Sequence, residues 1–215
     1  MERMSVDEIL SHLDRMYPDA HCELNHANAY EMAIAVILSA QTTDASVNQV
    51  TPKLFEKYPT VESLANAELK DVEQCISRLG LYHNKARSIV NFAKGVVENY
   101  GGIVPDTMDD LLTLSGVGRK CANVILSECY GIPSLAVDTH VTRVSKRLGL
   151  VYQKDDVNTI ERKLKRKIPK ERWIKTHHQM IFFGRYLCHA RSPKCGLCPF
   201  VSICHEKNKA ILAKW

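Results

Sequence analysis

Apolar residues recur along this chain at helical spacing, and no stretch sustains the period-two alternation of a half-buried strand. Ser5-Val6-Asp7-Glu8 has the form of a capping box and predicts a helix to about Met16. Asn28 to Ala40 is apolar on nearly every side, which predicts a buried central helix. Amphipathic helices are expected over Asp44–Tyr58, Glu68–Leu79 and Asn84–Tyr100, the last ended by Gly101-Gly102. Thr107-Met108-Asp109-Asp110 is a second capping motif, opening a short helix to Leu114. After a turn at Ser115–Gly118, a helix runs to Tyr130 and stops at Gly131. Thr139–Leu148, Asp156–Ile168 and Arg172–Leu187 complete an all-α set with no internal repeat and no low-complexity linker.

Hydrophobic residues make up 45% of the 215, enough for a real core and against disorder. The first eight residues hold no apolar run of the secretory kind. The longest apolar stretch, Met32 to Leu38, is too short to span a bilayer. The expectation is a soluble intracellular protein, cytoplasmic or nucleoid-associated, that does not engage membranes. Charge is unevenly spread. Residues 1–75 carry 5 Lys/Arg against 13 Asp/Glu, and residues 76–215 carry 24 against 11. Residues 141–175 alone hold 12 basic and 4 acidic side chains. A one-sided positive field attracts polyanions and speeds their encounter. Lys163, Lys165, Arg166 and Lys167, taken alone, are more simply the solvated face of a helix.

The turn Leu114-Ser115-Gly116-Val117-Gly118-Arg119-Lys120 joins two helices very tightly. Two glycines one residue apart permit positive φ and close backbone approach. The amides of Gly116, Gly118 and the next helical turn then form an anion site at a helix N-terminus. An ordinary helix–helix connection also favours glycine, but Arg119 and Lys120 follow at once. On this reading a side chain at Gly118 strains a conformation that only glycine tolerates well.

Lys120 lies in the first turn of a helix, where the dipole disfavours a cation, and beside Arg119, whose charge does the same. Both effects favour the neutral, nucleophilic amine, although a lysine here would also serve as a plain phosphate contact. Asp138 precedes Thr139–Leu148 and is a natural N-cap. An N-cap carboxylate is ionised and fixed in direction, so it also suits stabilisation of a developing cation.

Of eight cysteines, four fall within residues 188–204. Cys188, Cys195, Cys198 and Cys204 are separated by six, two and five residues. Thiolates hold zinc or an iron–sulfur cluster. Structural zinc prefers two close pairs, whereas here one Cys-x-x-Cys pair is flanked by longer loops. The spacing leans towards a cluster and leaves zinc open.

The hairpin Leu114–Lys120 resembles the helix–hairpin–helix of the DNA glycosylase superfamily, and Val137-Asp138-Thr139-His140-Val141 resembles its catalytic aspartate segment. With the cysteine spacing added, the match to the endonuclease III family covers nearly the whole chain. Two departures are visible: Ser115 stands where the family usually has proline, and Cys121 where it usually has threonine.

The resemblance implies two helical lobes, residues 22–131 as a six-helix bundle and residues 1–21 with 132–215 as a cluster lobe. DNA lies in the cleft between them, with Lys120 and Asp138 facing each other. It implies a [4Fe–4S] cluster on the four cysteines, with Arg191 and Lys194 in the six-residue loop able to reach a phosphate. It implies a monomeric, bifunctional DNA glycosylase and abasic-site lyase acting on double-stranded DNA that contains damaged bases or abasic sites. The damaged nucleotide, an oxidised pyrimidine, is flipped into a pocket, and Lys120 attacks C1′. A Schiff base forms, and β-elimination cuts the strand 3′ of the site. Gln41 in Leu38–Asp44 and Leu81 in Gly80-Leu81-Tyr82 enter the duplex from opposite sides, and apolar wedging is one way to unstack it. By residue type alone both pass as loop residues. His140 is expected on the same DNA-facing surface, though a lone histidine is more often structural.

Three other readings remain at this stage. An adenine-mismatch glycosylase would lack the lysine at position 120. A thymine-mismatch glycosylase differs in pocket shape, which sequence does not display. A non-catalytic DNA-binding module needs neither Lys120 nor Asp138.

Overall fold

The computed structural model describes residues 4–213. Its helices are α1 (Val6–Met16), α2 (Ala29–Leu38), α3 (Asp44–Lys57), α4 (Val61–Ala65), α5 (Leu69–Ile76) and α6 (Tyr82–Tyr100). They continue as α7 (Met108–Thr113), α8 (Arg119–Tyr130), α9 (Thr139–Arg147), α10 (Val157–Lys167), α11 (Trp173–Tyr186) and α12 (Lys209–Leu212). No strand occurs among the described residues. The capping box at Ser5 forms with both of its reciprocal hydrogen bonds, and Thr107 caps α7 as its sequence suggests. Two helices escape the periodicity. α4 and α12 are only five and four residues long, too short to establish a period. α6 begins two residues earlier than expected, because Leu81 serves as its N-cap from a left-handed conformation.

The chain divides into two compact units, one of residues 23–132 and one of residues 1–22 with 133–215. In the first, α2 is the central element, and all of Met32 through Leu38 is buried. It packs against α3, α6 and α8, which is why its sequence lacks a polar face. α6 turns Ala86, Ile89, Val90, Phe92, Ala93 and Val96 inward and lies against α2, α4 and α5.

In the second unit α11 packs against α1 and α9, and α9 also meets α10. Their shared core holds Ile9 and Leu13 from α1, Val144 from α9, Leu164 from α10, and Phe183 from α11. Phe200, from the cysteine-rich loop, joins this core, edge-on to Phe183 at 5.4 Å between ring centroids. Burial of such a side chain contributes roughly 1.5–3 kcal/mol, so the loop is anchored by packing at Phe200. Asp14 on α1 binds Arg172 at 2.8 Å and Lys175 at 3.1 Å. Burial works against its ionised form, but hydrogen bonds from Gln179, Lys175 and Arg172 outweigh it and hold the carboxyl below its ordinary range.

Candidate functional site

One end of the unit formed by residues 23–132 gathers the hairpin and both proposed wedge residues. Gly116 has φ +78°, and a Cβ placed there would lie 3.0 Å from Ile37 and 3.2 Å from Ser88. The hairpin therefore rests on the last turn of α2 and the second turn of α6, and its glycine is required by conformation and by space. The turn closes with the Val117 amide donating to the Leu114 carbonyl at 3.2 Å, with Ser115 in place of a proline. Gly118 corrects the sequence expectation. Its backbone is extended (φ −95°, ψ 176°), and nothing lies within 4 Å of where a Cβ would stand. It imposes no strain that another residue would feel.

Gly118 is the N-cap of α8 and offers the first turn no side-chain acceptor. The opening amides of α8 thus face outward beside Arg119 and Lys120, both exposed in that first turn. This is the geometry of an anion site, with partial positive charge from the helix end added to two cations.

Gln41 and Leu81 are exposed, and both have positive φ, 54° and 60°. Only three non-glycine residues described here do so, and two of them are the residues marked by the family resemblance. A left-handed conformation is costly for a leucine, by about 1–2 kcal/mol, and persists only where the surroundings impose it. Residue type carries no sign of φ at such positions, which is why the sequence left them as ordinary loop residues.

Asp138 caps α9, its Oδ1 accepting from the Val141 amide at 2.7 Å. His140, half-buried two residues on, stands 3.0 Å from the Arg143 guanidinium through Nδ1. Burial pushes its imidazole below its ordinary value, against the pull of Asp138. Gly184 on α11 makes room for it, since a Cβ there would lie 2.8 Å from His140 Nδ1 and 3.1 Å from Arg143.

The loop after α11 carries the four cysteines, none in a disulfide, with Cys188, Cys195 and Cys204 buried. Burial pushes the Cys198 thiol up to about 12, and the neighbouring sulfurs add to it. Burial raises Cys195 and Cys204 as well, with other cysteines of the set contributing. Thiols crowded in an apolar setting become thiolates only with a compensating cation, which iron supplies. Among the described residues, no three His, Cys, Asp or Glu side chains are gathered as a site for a single metal ion. The donor set, four soft sulfurs that are largely buried and close enough to raise one another's pKa, fits an iron–sulfur cluster. Arg191 and Lys194 are exposed on the first stretch of this loop, on either side of Ser192, the third residue with positive φ. That stretch closes on itself through the Lys194 amide and the Leu187 carbonyl, 3.0 Å apart.

Two arginines that no sequence motif marks hold the loop. Arg143 donates from Nε to the Cys188 carbonyl at 3.0 Å and from Nη2 to the Gly184 carbonyl at 2.9 Å. Arg147 donates from Nη1 to Cys188 Sγ at 3.3 Å and to the His189 carbonyl at 2.7 Å, and pairs with Glu206 at 2.5 Å. Their i, i+4 spacing on α9 was the available signal, hidden within a run of basic residues. The basic face of α10 has internal partners too: Lys163 binds Asp155 and Lys165 binds Glu161, each at 2.7 Å. Lys167 donates to the Leu150 carbonyl.

Residues 34–170 match the family model described as the HhH-GPD superfamily of base excision DNA repair proteins. Residues 188–204 match the iron–sulfur binding domain of endonuclease III. Endonuclease III of Bacillus subtilis is 50% identical over 204 residues, covering 95% of this chain and 93% of its own. A solved covalent intermediate of an endonuclease III trapped on DNA, an estranged-adenine complex, superposes with a TM-score of 0.91 at 51% identity, covering 94% and 95% of the two chains. A non-covalent endonuclease III–DNA complex gives 0.92 at 50% identity, covering 96% of each.

Proposed function

Since the chain belongs to the HhH-GPD superfamily of base excision DNA repair proteins, in its endonuclease III family, we propose that it removes oxidised pyrimidines from duplex DNA and cuts the strand at the abasic site. It is a DNA N-glycosylase and abasic-site lyase, and it carries a [4Fe–4S] cluster. The observation that carries the residue assignments is the hairpin: an uncapped helix start with an exposed Lys120 two residues past its tip.

On this reading the amides around Gly116 and Gly118, with Arg119, hold a backbone phosphate. The target nucleotide leaves the stack, and Gln41 and Leu81 fill the gap. The neutral amine of Lys120 attacks C1′, and the base departs with the electrons of the glycosidic bond. Loss of a proton from the nitrogen and opening of the sugar give a Schiff base. Abstraction of a C2′ proton then expels the 3′ phosphate by β-elimination. The Asp138 carboxylate, fixed by its cap bond to Val141, stabilises the positive charge that builds on the sugar. Cys188, Cys195, Cys198 and Cys204 would hold the cluster, which would tie down the loop on which Arg191 and Lys194 stand exposed for a phosphate. No described helix is long and apolar enough to cross a membrane. We infer a monomer acting at chromosomal DNA.

The test is a duplex with a single thymine glycol, labelled at its 5′ end. The reading expects base release together with a fragment ending in an unsaturated aldehyde. Base release that leaves the strand intact until alkali is added would reduce the protein to a glycosylase without lyase chemistry.

A further inference from the structure

Lys85 is a lysine with 6% of its surface exposed, in the first turn of α6. Burial lowers its pKa, and no carboxylate contributes to the shift. A buried ammonium needs strong partners. The one its Nζ finds among the described residues is the Thr42 hydroxyl, on the residue that follows Gln41. Thr42 passes the interaction on: its Oγ1 donates to the Ala40 carbonyl at 3.3 Å, spanning Gln41. A hydroxyl that accepts from a cation becomes a better donor, so the two bonds reinforce each other. The backbone amide of Lys85 meanwhile donates to the Leu81 carbonyl at 3.0 Å. A single residue thus grips both left-handed positions, Leu81 through its main chain and the Gln41 turn through its side chain.

We propose that Lys85 and Thr42 form a strut that sets the Gln41 turn against Leu81, so that the two enter DNA in register. Lys85 is a positioning residue: too buried to meet the duplex, it acts through the two residues that do. The inference rests on the reading of Gln41 and Leu81 as the residues that fill the vacated stack.

The experiment uses the holoprotein and a duplex with a tetrahydrofuran abasic analogue opposite 2-aminopurine, whose fluorescence rises when it is unstacked. Lys85→Met, Thr42→Val, Thr42→Ser and the double variant Lys85→Met/Thr42→Val are compared with Gln41→Ala and Leu81→Ala. Melting and binding to undamaged duplex are followed in parallel. The strut predicts that Lys85→Met and Thr42→Val each lower the rate of strand cleavage on an oxidised-pyrimidine duplex by about tenfold, the scale of one lost charge-assisted hydrogen bond. Each also suppresses the fluorescence rise, and the double variant is no worse than either alone. Thr42→Ser keeps the hydroxyl and behaves as wild type. Thr42→Val alters a partly exposed loop, so it decides the matter even where Lys85→Met fails to fold. A normal fluorescence rise in Thr42→Val, with Gln41→Ala and Leu81→Ala both impaired, would overturn the strut and leave the wedge assignment standing. A normal rise in Gln41→Ala and Leu81→Ala would instead remove the premise.

Discussion

On the proposed reading, Asp138 is one carboxylate that serves both structure and chemistry. Its Oδ1 holds the Val141 amide at 2.7 Å, so its direction is fixed before any substrate arrives. Asparagine caps a helix about as well as aspartate but brings no charge. Asp138→Asn is therefore expected to melt close to wild type while base release slows by about a hundredfold or more. Asp138→Ala, which also loses the cap, is expected to cost about 1 kcal/mol of stability in addition. Full activity in Asp138→Asn would leave it a cap and nothing else. The capping role was legible in the sequence because it is local, spanning three residues. The conformations of Gln41 and Leu81 were not, because surroundings distant in sequence impose them. For Gln41 those surroundings include Lys85, more than forty positions away.

At the scale of elements, the hairpin separates two glycines that look equivalent in sequence. Gly116 sits at φ +78° against Ile37 and Ser88, so Gly116→Ala is expected to lose about 1–3 kcal/mol, read as a lowered melting temperature. Gly118→Ala meets open space and an ordinary backbone, so its melting is expected to match wild type. On the reading that the amides around it hold a phosphate, the added Cβ crowds that anion and weakens damaged and undamaged duplex alike. Unchanged affinity for both would mean that the turn is a connection and that DNA is held elsewhere. The Gly-x-Gly pattern announced a tight turn, but which glycine needs to be glycine depends on Ile37 and Ser88, two other helices. α9 teaches the same lesson. Its basic residues belong to the stretch 141–175 that reads as a field for polyanions, yet Arg143 and Arg147 reach the backbone and sulfur of the cysteine loop.

At the scale of the molecule, nearly every helix of more than six residues was readable from apolar spacing and caps, because each buries a stripe against its neighbours. The cysteine loop has no such period. Only its ligand spacing marked it, and the family match over residues 188–204 gives that spacing its meaning. The unit built from residues 1–22 and 133–215 takes Cys188, Phe200 and Ile203 into its core, so ligand binding and folding are coupled there. Purified protein is expected to be yellow-brown, with iron and acid-labile sulfide in a ratio near one. Cys198→Ser is expected to be colourless and poorly folded. One zinc per chain and no iron in anaerobically prepared protein would contradict the assignment. The central claim, that Lys120 is the nucleophile of a lyase, is tested most directly by borohydride reduction on duplex DNA with a single abasic site. Wild type is expected to become covalently attached to the strand. Lys120→Gln is expected to bind the same DNA with only a modest loss, as befits one cation fewer, and to form no adduct. Trapping of Lys120→Gln at the wild-type rate would show that another amine does the chemistry.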